Sequence, residues 1–458
     1  MVNRRQALKT MGAGFGTLGW MNLLHAESQA SPLAPKAPHF APKAKRVIFL
    51  FLNGGMSHVD TFDPKPLLIK HDGQPLPGPK IVTDRASGNL MRSPFEFRKY
   101  GQSGTEVSDI FPRVASKIDD FCVIRSMYSD NGNHGPSLLM MNSGHGLTGR
   151  PAMGSWVTYG LGTENQNLPG FVVLCPGYPV LGAQLWDSAF LPSVHGGTYI
   201  PSSERDPDKL VQNIHNATYT AANQQQQLSL LDKLNRSYVE QVGHQPGLEA
   251  GIQAMEVAFR MQTEAPGVFD IGNESQATRD RYGDGDFGRG CLMALRLAER
   301  GVRMVQVYFG NFQPWDSHDD IRIHAKLANA ADAPIAALVE DLKARGMFDD
   351  TLLIVGSEFG RTPMIQNSGL EKVGNGRDHN VHGFCTLLAG GGVKGGITYG
   401  ATDDFGLKAV EKRCHVHDLH ATAMHLLGID HKRLTYRYSG RDFRLTDVSG
   451  NVIKEIIA

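Results

Sequence analysis

The apolar positions along the chain predict alternating strands and helices. Six apolar residues in a row, Val47 to Leu52, are followed directly by Asn53-Gly54-Gly55. A run this short cannot span a membrane, and it is typical of a strand buried on both faces. Similar runs predict further strands, namely 121–124, 170–174, 301–309, 351–356 and 384–389. We therefore expect an α/β fold with a mostly parallel central sheet flanked by helices.

Helical periodicity is concentrated in one part of the chain. Apolar residues at three- and four-residue steps predict four consecutive helices, at 209–221, 224–242, 248–262 and 288–300. We interpret the block of about 206–300 as a helical insertion that covers the sheet and shapes a pocket. Elsewhere the same spacing predicts single helices at 107–118, 334–346 and 421–427.

The first 26 residues have the features of an export signal. Asn3-Arg4-Arg5-Gln6-Ala7-Leu8-Lys9 is a twin-arginine pattern, and a weakly hydrophobic run follows it up to small residues near Ala26. We therefore predict a signal peptide at 1–26, a linker at 27–45 and an α/β domain at 46–458. The export partner would be the bacterial twin-arginine machinery, and the protein would be periplasmic or secreted.

Charge and cysteine content exclude several function classes. The formal net charge is zero and the charged residues are interspersed, so neither nucleic acid nor a membrane surface is an expected partner. No stretch is predicted to form a stable membrane span. The five cysteines lie far apart without a CxxC spacing, which argues against a zinc site made of thiolates.

Polar residues follow the first predicted strand immediately. Ser57, His58, Asp60 and Asp63 come soon after Asn53, and the carboxyl ends of parallel strands are where α/β sheets bind ligands. Asp60 is therefore a candidate metal ligand. The alternative is an ordinary turn with solvated side chains.

A second polar loop leads into a helix that Pro136 would begin. This loop places His134 at a helix N-terminus, where anions are favoured. We consider His134 a candidate nucleophile or metal ligand, and Ser137 the second candidate nucleophile. Capping or packing is the alternative role for His134.

A third polar cluster follows the strand at 301–309. Asp316 and His318 are two residues apart and Asp320 and His324 are four apart, and either pair has metal-ligand spacing. A solvated acidic loop is the alternative here.

Two later segments complete the set of candidates. Ser357-Glu358-Phe359-Gly360-Arg361 follows the strand at 351–356, and Arg377-Asp378-His379-Asn380-Val381-His382 precedes the strand at 384–389. Glu358, His379 and His382 are candidate metal ligands, while Arg361 and Arg377 offer planar forks for an oxyanion. A simple ion pair is the alternative for the first segment. We assign His415, His417 and His420 to capping or packing.

These motifs resemble those of the exported proteins grouped as domain of unknown function 1501, over essentially the whole mature chain. The resemblance rests on HVDTFDPKP, WDSH, SEFGRTP, GRDHN, LLAGGGVKGG and the closing segment from DLHATAMHLLGIDHKR onward. More distantly, the chain is similar to the alkaline phosphatase and sulfatase superfamily. This likeness implies an α/β sandwich with an alkaline-phosphatase-like site.

Three positions differ from the distant superfamily's pattern. Asn53 stands where an Asp is expected, His134 stands where the nucleophile would be, and Ser357-Glu358-Phe359-Gly360 replaces an S-D-H-G turn. The late metal histidine of the superfamily is matched by His382 or by His379.

Residues and resemblance together predict an exported metal-dependent hydrolase of phosphate or sulfate esters. One or two divalent ions, whether zinc, manganese or calcium, would be held at the carboxyl ends of the strands, and a small-molecule or polysaccharide ester would be the substrate. The alternative is a non-catalytic cell-envelope binding or scaffold protein with an eroded site.

Overall fold

A computed structural model describes residues 32–78, 83, 85–210, 220–242, 255–256, 258–261, 266–367 and 373–458. The predicted signal peptide lies outside the described residues, as do most of the helices predicted at 209–221 and 248–262. In the part of the chain that is described, no helix is both long and apolar enough to cross a membrane.

The centre of the fold is a nine-stranded sheet. Eight of its strands lie in the order β13-β5-β12-β9-β1-β8-β6-β7, and the ninth, β16, pairs with β5. In chain order these strands are β1 (Arg46–Phe51), β5 (Phe121–Tyr128), β6 (Phe171–Cys175), β7 (Thr198–Pro201), β8 (Met304–Tyr308), β9 (Thr351–Gly356), β12 (Phe384–Ala389), β13 (Ile397–Tyr399) and β16 (Cys414–His415). Among them only β12 runs antiparallel to its neighbours. The predicted mostly parallel sheet is confirmed.

The remaining strands form small antiparallel sheets. They are β2 (Ser87–Leu90), β3 (Phe97–Tyr100), β4 (Thr105–Ser108), β10 (Gly360–Asn367), β11 (Val373–Asn380), β14 (Ala401–Thr402), β15 (Ala409–Glu411), β17 (Tyr436–Tyr438) and β18 (Arg441–Phe443). β11, β10 and β2 form one three-stranded sheet. It includes segments that the sequence suggested were loops, because backbone pairing between β10 and β11 extends them.

Helices cover both faces of the central sheet. The helices of the described residues are α1 (Pro66–Lys70), α2 (Pro112–Ala115), α3 (His134–Ser143), α4 (Met153–Leu161), α5 (Pro207–Leu210), α6 (Ala221–Val242), α7 (Gln276–Tyr282), α8 (Asp286–Glu299), α9 (Ile323–Ala344) and α10 (Val416–Leu426). The helix predicted at 107–118 is wrong over its first half, because β4 extends to Ser108 and the helix begins only at Pro112.

Side chains of β1 alternate between two hydrophobic cores. Ile48 and Leu50 pack with α8 and α9 on one face, and Phe49 and Phe51 pack with α3, α4 and α10 on the other. Both faces of β1 are therefore buried, as its unbroken apolar run predicts. All five cysteines are buried and free.

Candidate metal centre

The predicted site residues meet at one rim of the central sheet. β1 is parallel to β8 and β9, while β12 is antiparallel to both β9 and β5. The carboxyl ends of β1, β5, β8 and β9 therefore share a rim with the amino end of β12. Loops that follow four strands, and the loop that enters a fifth, come together there.

Four candidate ligands converge at this rim. His134, Asp316, His318 and His379 each offer one ligand atom, and these atoms all lie within 4.8 Å of one another. Asp316 Oδ1 is at the centre, with the Nε2 atoms of His134, His318 and His379 at 3.3, 2.8 and 3.3 Å from it. All four were predicted as site residues from their positions at strand ends.

Each of the three histidines is fixed through its other ring nitrogen. His134 Nδ1–H donates to Glu358 Oε1 at 2.8 Å, and His379 Nδ1–H donates to the carbonyl oxygen of Gly132 at 2.7 Å. His318 Nδ1 contacts Gln366 Oε1. Because every Nδ1 faces an oxygen acceptor, the proton of the neutral imidazole belongs on Nδ1 and the lone pair of each Nε2 is directed to the centre. This arrangement is typical of metal-binding histidines.

The donor atoms fit a divalent metal ion. The buried Nε2 atoms of His134 and His318 have no hydrogen-bond partner, although both lie close to Asp316 Oδ1. Zinc bonds of 2.0–2.1 Å at tetrahedral angles place two ligand atoms about 3.3 Å apart, which is near the 2.8–3.3 Å found from each nitrogen to Asp316 Oδ1. Three imidazoles and one carboxylate are also a common donor set for zinc, manganese or iron.

The surroundings of Asp316 strongly favour its ionised form. Burial acts to raise the pKa of Asp316, but the imidazoles of His134, His318 and His379 around its carboxylate outweigh burial, and the pKa lies far below its usual range. Burial acts to lower the pKa of His134, but hydrogen bonds to Asp316 and Glu358 raise it overall. A cation entering the centre would therefore compete with a proton on His134.

Phe359 closes one side of the centre. Its fully buried ring lies 4.8 Å from the ring of His134 and 4.6 Å from that of His379, centroid to centroid. An aromatic ring supplies no ligand for a divalent ion. The space next to these two histidines is thus filled by carbon, which favours one ion over two.

Glu358 is adjacent to the four ligands but not among them. Its carboxylate accepts the His134 Nδ1–H and the backbone N–H of Gly54 at 2.9 Å. Burial acts to raise the pKa of Glu358, but the hydrogen bond and charge of His134 lower it. Glu358 therefore remains ionised and orients His134.

Arg361 lies behind Asp316. Its side chain is 0% exposed, and Nη2 donates to Asp316 Oδ1 at 2.6 Å. Nε donates to the carbonyl oxygen of Gly55 at 2.8 Å, and Nη1 to that of Arg377 at 3.3 Å. The guanidinium neutralises Asp316 from the protein interior, and it does not extend into solvent as an oxyanion clamp would.

Asp60 and Arg377 form a separate ion pair outside the group of four. Arg377 Nε donates to Asp60 Oδ2 at 2.7 Å and Nη2 donates to Oδ1 at 3.1 Å, and both residues are 0% exposed. Ser57 Oγ also donates to Asp60 Oδ2 at 2.5 Å. The structure thus places Asp60, predicted as a metal ligand, and Arg377, predicted as a clamp, in one buried bidentate pair.

Two other predicted site residues also lie apart from the centre. Ser137 is buried in α3, and its hydroxyl donates to the carbonyl oxygen of Asn131. His382 is exposed, and its backbone N–H donates to Asn380 Oδ1 at 3.1 Å. Of the two histidines predicted in the GRDHNVH segment, it is therefore His379 that joins the group.

Asp320 and His324, the second pair with metal-ligand spacing after β8, do not form a site. Asp320 pairs with Arg322 at the surface, with 2.7 Å between Oδ2 and Nη2. His324 is buried, accepts the Ser57 N–H at 3.1 Å through Nε2, and lies 3.1 Å from Ser317 Oγ through Nδ1. Burial lowers the pKa of His324 to about 3, so it stays neutral.

Sequence reasoning missed two contributors to the centre. Gln366 lies in β10 beyond the SEFGRTP motif, and Gly132 contributes a backbone carbonyl. No ligand spacing marks either of them, whereas Phe359 was already marked by the sequence as the residue that replaces the histidine of the S-D-H-G turn. The loop that carries His318 lies against β11, where the Arg377 N–H donates to the Ser317 carbonyl oxygen at 3.2 Å, and β11 in turn pairs with β10, which carries Gln366.

Solved structures similar to this chain include several enzymes. One is the sulfatase PsFucS1 from Pseudoalteromonas sp., at 13% identity and a TM-score of 0.34, covering 84% of this chain and 68% of that one. A protein in the alkaline phosphatase superfamily from Vibrio parahaemolyticus matches at 10% identity, with a TM-score of 0.33 and coverage of 86% and 69%. A phosphonate monoester hydrolase of Agrobacterium radiobacter matches at 12% identity, with a TM-score of 0.35 and coverage of 85% and 74%.

Comparison with curated proteins gives no match. The sequence profile of one family, described as "Protein of unknown function (DUF1501)", matches residues 44–457. That range contains every ligand of the candidate metal centre. The chain belongs to the DUF1501 family.

Proposed function

We propose that this protein is an exported, metal-dependent hydrolase of phosphate or sulfate esters. The observation that carries the proposal is the geometry of the three histidines. Each is held through Nδ1 by an oxygen atom, and each directs Nε2 toward Asp316 Oδ1. Packing alone does not require three imidazoles to share this arrangement, whereas binding a cation does.

His134, His318, His379 and Asp316 would hold a single divalent ion. Zinc or manganese suits three imidazoles and a carboxylate better than calcium, which prefers oxygen ligands. Such an ion would polarise the ester and lower the pKa of a water molecule. Phe359 would exclude a second ion from the side of His134 and His379.

Water is the nucleophile that this arrangement supports. His134 Nδ1 is bonded to Glu358 and its Nε2 would bind the ion, while the Ser137 hydroxyl donates to a backbone carbonyl. Hydrolysis then forms a bond from the water oxygen to phosphorus or sulfur. The bond from phosphorus or sulfur to the ester oxygen breaks, and the alcohol that leaves takes up a proton in place of the one that the water molecule loses.

The protein's own groups would orient the ester. α3 begins at His134, so the positive end of its dipole lies at the centre and would attract the anionic ester oxygens. Arg361 would balance Asp316 from behind. The clamp role for Arg361 and Arg377 is not part of the proposal, because both guanidinium groups are fully buried.

Hydrolysis of 4-nitrophenyl phosphate and 4-nitrophenyl sulfate, with added zinc, manganese or calcium, tests the proposal. We expect metal-dependent release of 4-nitrophenol by the wild type and a loss of at least about 100-fold in His318→Ala, since that change removes a ligand. His382→Ala is the matched control, an exposed histidine outside the centre, and should keep activity within about twofold.

Activity on neither ester with any of the three metals would overturn the proposal. It would leave the protein as a non-catalytic binding or scaffold member of its family. Equal activity in His318→Ala and in the wild type would refute the assigned centre.

Export through the twin-arginine route is the second part of the proposal. It is supported by Arg4-Arg5 and the weakly hydrophobic run that follows. Replacing both arginines by lysine should retain the protein in the cytoplasm, as fractionation would show. Export of the double-lysine variant at the wild-type level would refute this route.

A further inference from the structure

An exposed pair of aromatic side chains borders the candidate metal centre. Tyr178 is 51% exposed and Phe312 is 67% exposed. The Phe312 N–H donates to the carbonyl oxygen of Tyr178 at 2.9 Å, so the two loops that carry them are joined. We call the surface formed by Tyr178 and Phe312 the aromatic platform.

The loops that carry the platform contact segments next to the proposed metal ligands. Phe312 is four residues before Asp316 in the chain, and its carbonyl oxygen accepts a hydrogen bond from Asn53 Nδ2 at 2.5 Å. On the other side, Leu181 Cδ1 is 3.8 Å from the position that a Cβ on Gly135 would occupy. Gly135 directly follows the proposed ligand His134.

Tyr178 is backed by a rigid stack of rings. Its ring centroid is 4.7 Å from that of Tyr199 at an interplanar angle of 23°, and Trp186 lies 5.8 Å from Tyr199 at 8°. Trp186 is 4% exposed, so it is covered by its neighbours. Tyr178 is therefore preorganised and does not need to be ordered by a ligand.

Each of the two loops holds one non-glycine residue with a positive φ. Phe312 has a φ of +53° and Leu181 a φ of +72°, a region that side chains with a Cβ avoid at a cost of about 1 kcal/mol or more. A glycine would relieve this strain at either position. The strained conformation holds Phe312 in the solvent, where it contributes little to the core.

The chemistry of the two loops indicates what the platform binds. Residues 176–186 and 309–315 contain no charged side chain, and Gln184 and Asn311 in these loops are exposed. A nucleotide or an acidic peptide would need cationic partners, which these loops lack. Flat aromatic faces with neutral amides suit a sugar ring, whose C–H face can pack on the ring while its hydroxyls bond the amides.

We infer that the aromatic platform binds a sugar ring of the substrate, so that the ester hydrolysed at the metal centre is carried by a carbohydrate. This inference rests on the proposed function for the ester chemistry. The binding of the sugar itself depends only on the platform.

Saturation-transfer NMR and calorimetry on the full mature chain test the inference. The probes are three neutral hexasaccharides, namely maltohexaose, cellohexaose and neoagarohexaose, with adenosine and N-acetylphenylalaninamide as comparators. We expect at least one saccharide to bind, and its affinity to fall at least tenfold in both Phe312→Ala and Tyr178→Ala.

Two further variants separate stacking from general apolarity. Phe312→Leu keeps an apolar side chain and the same backbone strain but removes the planar face, so it should lose binding as Phe312→Ala does. Phe312→Trp should retain it. Tyr438→Ala removes a tyrosine of similar exposure, 49%, from the hairpin of β17 and β18 and should have no effect. Thermal unfolding of each variant checks that the fold is intact.

The outcomes distinguish this inference from the proposed function. Failure of all three saccharides to bind, preferential binding of adenosine or the amide, or full binding by Phe312→Leu would overturn the platform. Sugar binding without ester hydrolysis would support the platform and refute the hydrolase. Hydrolysis of aryl esters without sugar binding would support the hydrolase and refute the platform.

Discussion

Replacing Asp60 by asparagine should destabilise the protein strongly without removing its metal. Asp60 and Arg377 are both 0% exposed and share hydrogen bonds of 2.7 and 3.1 Å. In Asp60→Asn the buried guanidinium faces only neutral acceptors, namely the carbonyl oxygens of Met91 and Thr362 and the one side-chain oxygen of the asparagine, while its new NH2 group faces a guanidinium N–H. Breaking a buried ion pair in this way lowers the free energy of unfolding by about 3–5 kcal/mol. This is a large part of the total free energy of unfolding of a typical protein, about 5–15 kcal/mol.

Urea unfolding at neutral pH measures this loss. Asp320→Asn is the control, because Asp320 pairs with Arg322 at the surface and such pairs contribute about 0–1 kcal/mol. The double variant Asp60→Asn, Arg377→Met should recover part of the loss, since it removes the unpaired charge. A destabilisation below about 1 kcal/mol in Asp60→Asn, together with loss of bound metal, would show that Asp60 is a ligand after all.

Three further predictions follow from the site and its surroundings. Glu358→Gln should weaken metal binding about 10- to 100-fold, because it loosens His134; isothermal titration with zinc measures the affinity, and unchanged binding would contradict the role. Ser137→Ala should keep hydrolysis within about threefold, and a loss above about 100-fold would restore serine as the nucleophile. His324 and His420 are buried with pKa values lowered from 6.5 to about 3. Stability should therefore be full above pH 6.5 and fall progressively toward pH 3, and an unfolding midpoint that stays constant down to pH 4 would refute this.

The strands and the rim were predictable from sequence because buried parallel strands have a strong local signal. The run at 351–356 matches β9 residue for residue, and Asp316 and His318 follow β8 as expected. Likewise, His134 is the first residue of α3. Local pattern located these residues, and parallel pairing then brought them to one rim.

Long-range pairing was not predictable from one sequence. Asp60 and Arg377 are 317 residues apart, and no spacing indicates that they neutralise each other and not a metal or an ester. His379 precedes β12, and it reaches the rim only because β12 runs antiparallel. The choice of His379 over His382 depends on the register between β10 and β11, which pairs His379 with Arg361.

Metal content and coordination of the purified protein test the central claim most directly. The account predicts about one equivalent of zinc or manganese per chain by elemental analysis, and an X-ray absorption spectrum with about three imidazole nitrogens and a carboxylate oxygen. His318→Ala should lose most of this metal, whereas His382→Ala should retain it. Protein that holds no stoichiometric metal after reconstitution, or whose metal is unaffected by His318→Ala, would contradict the account.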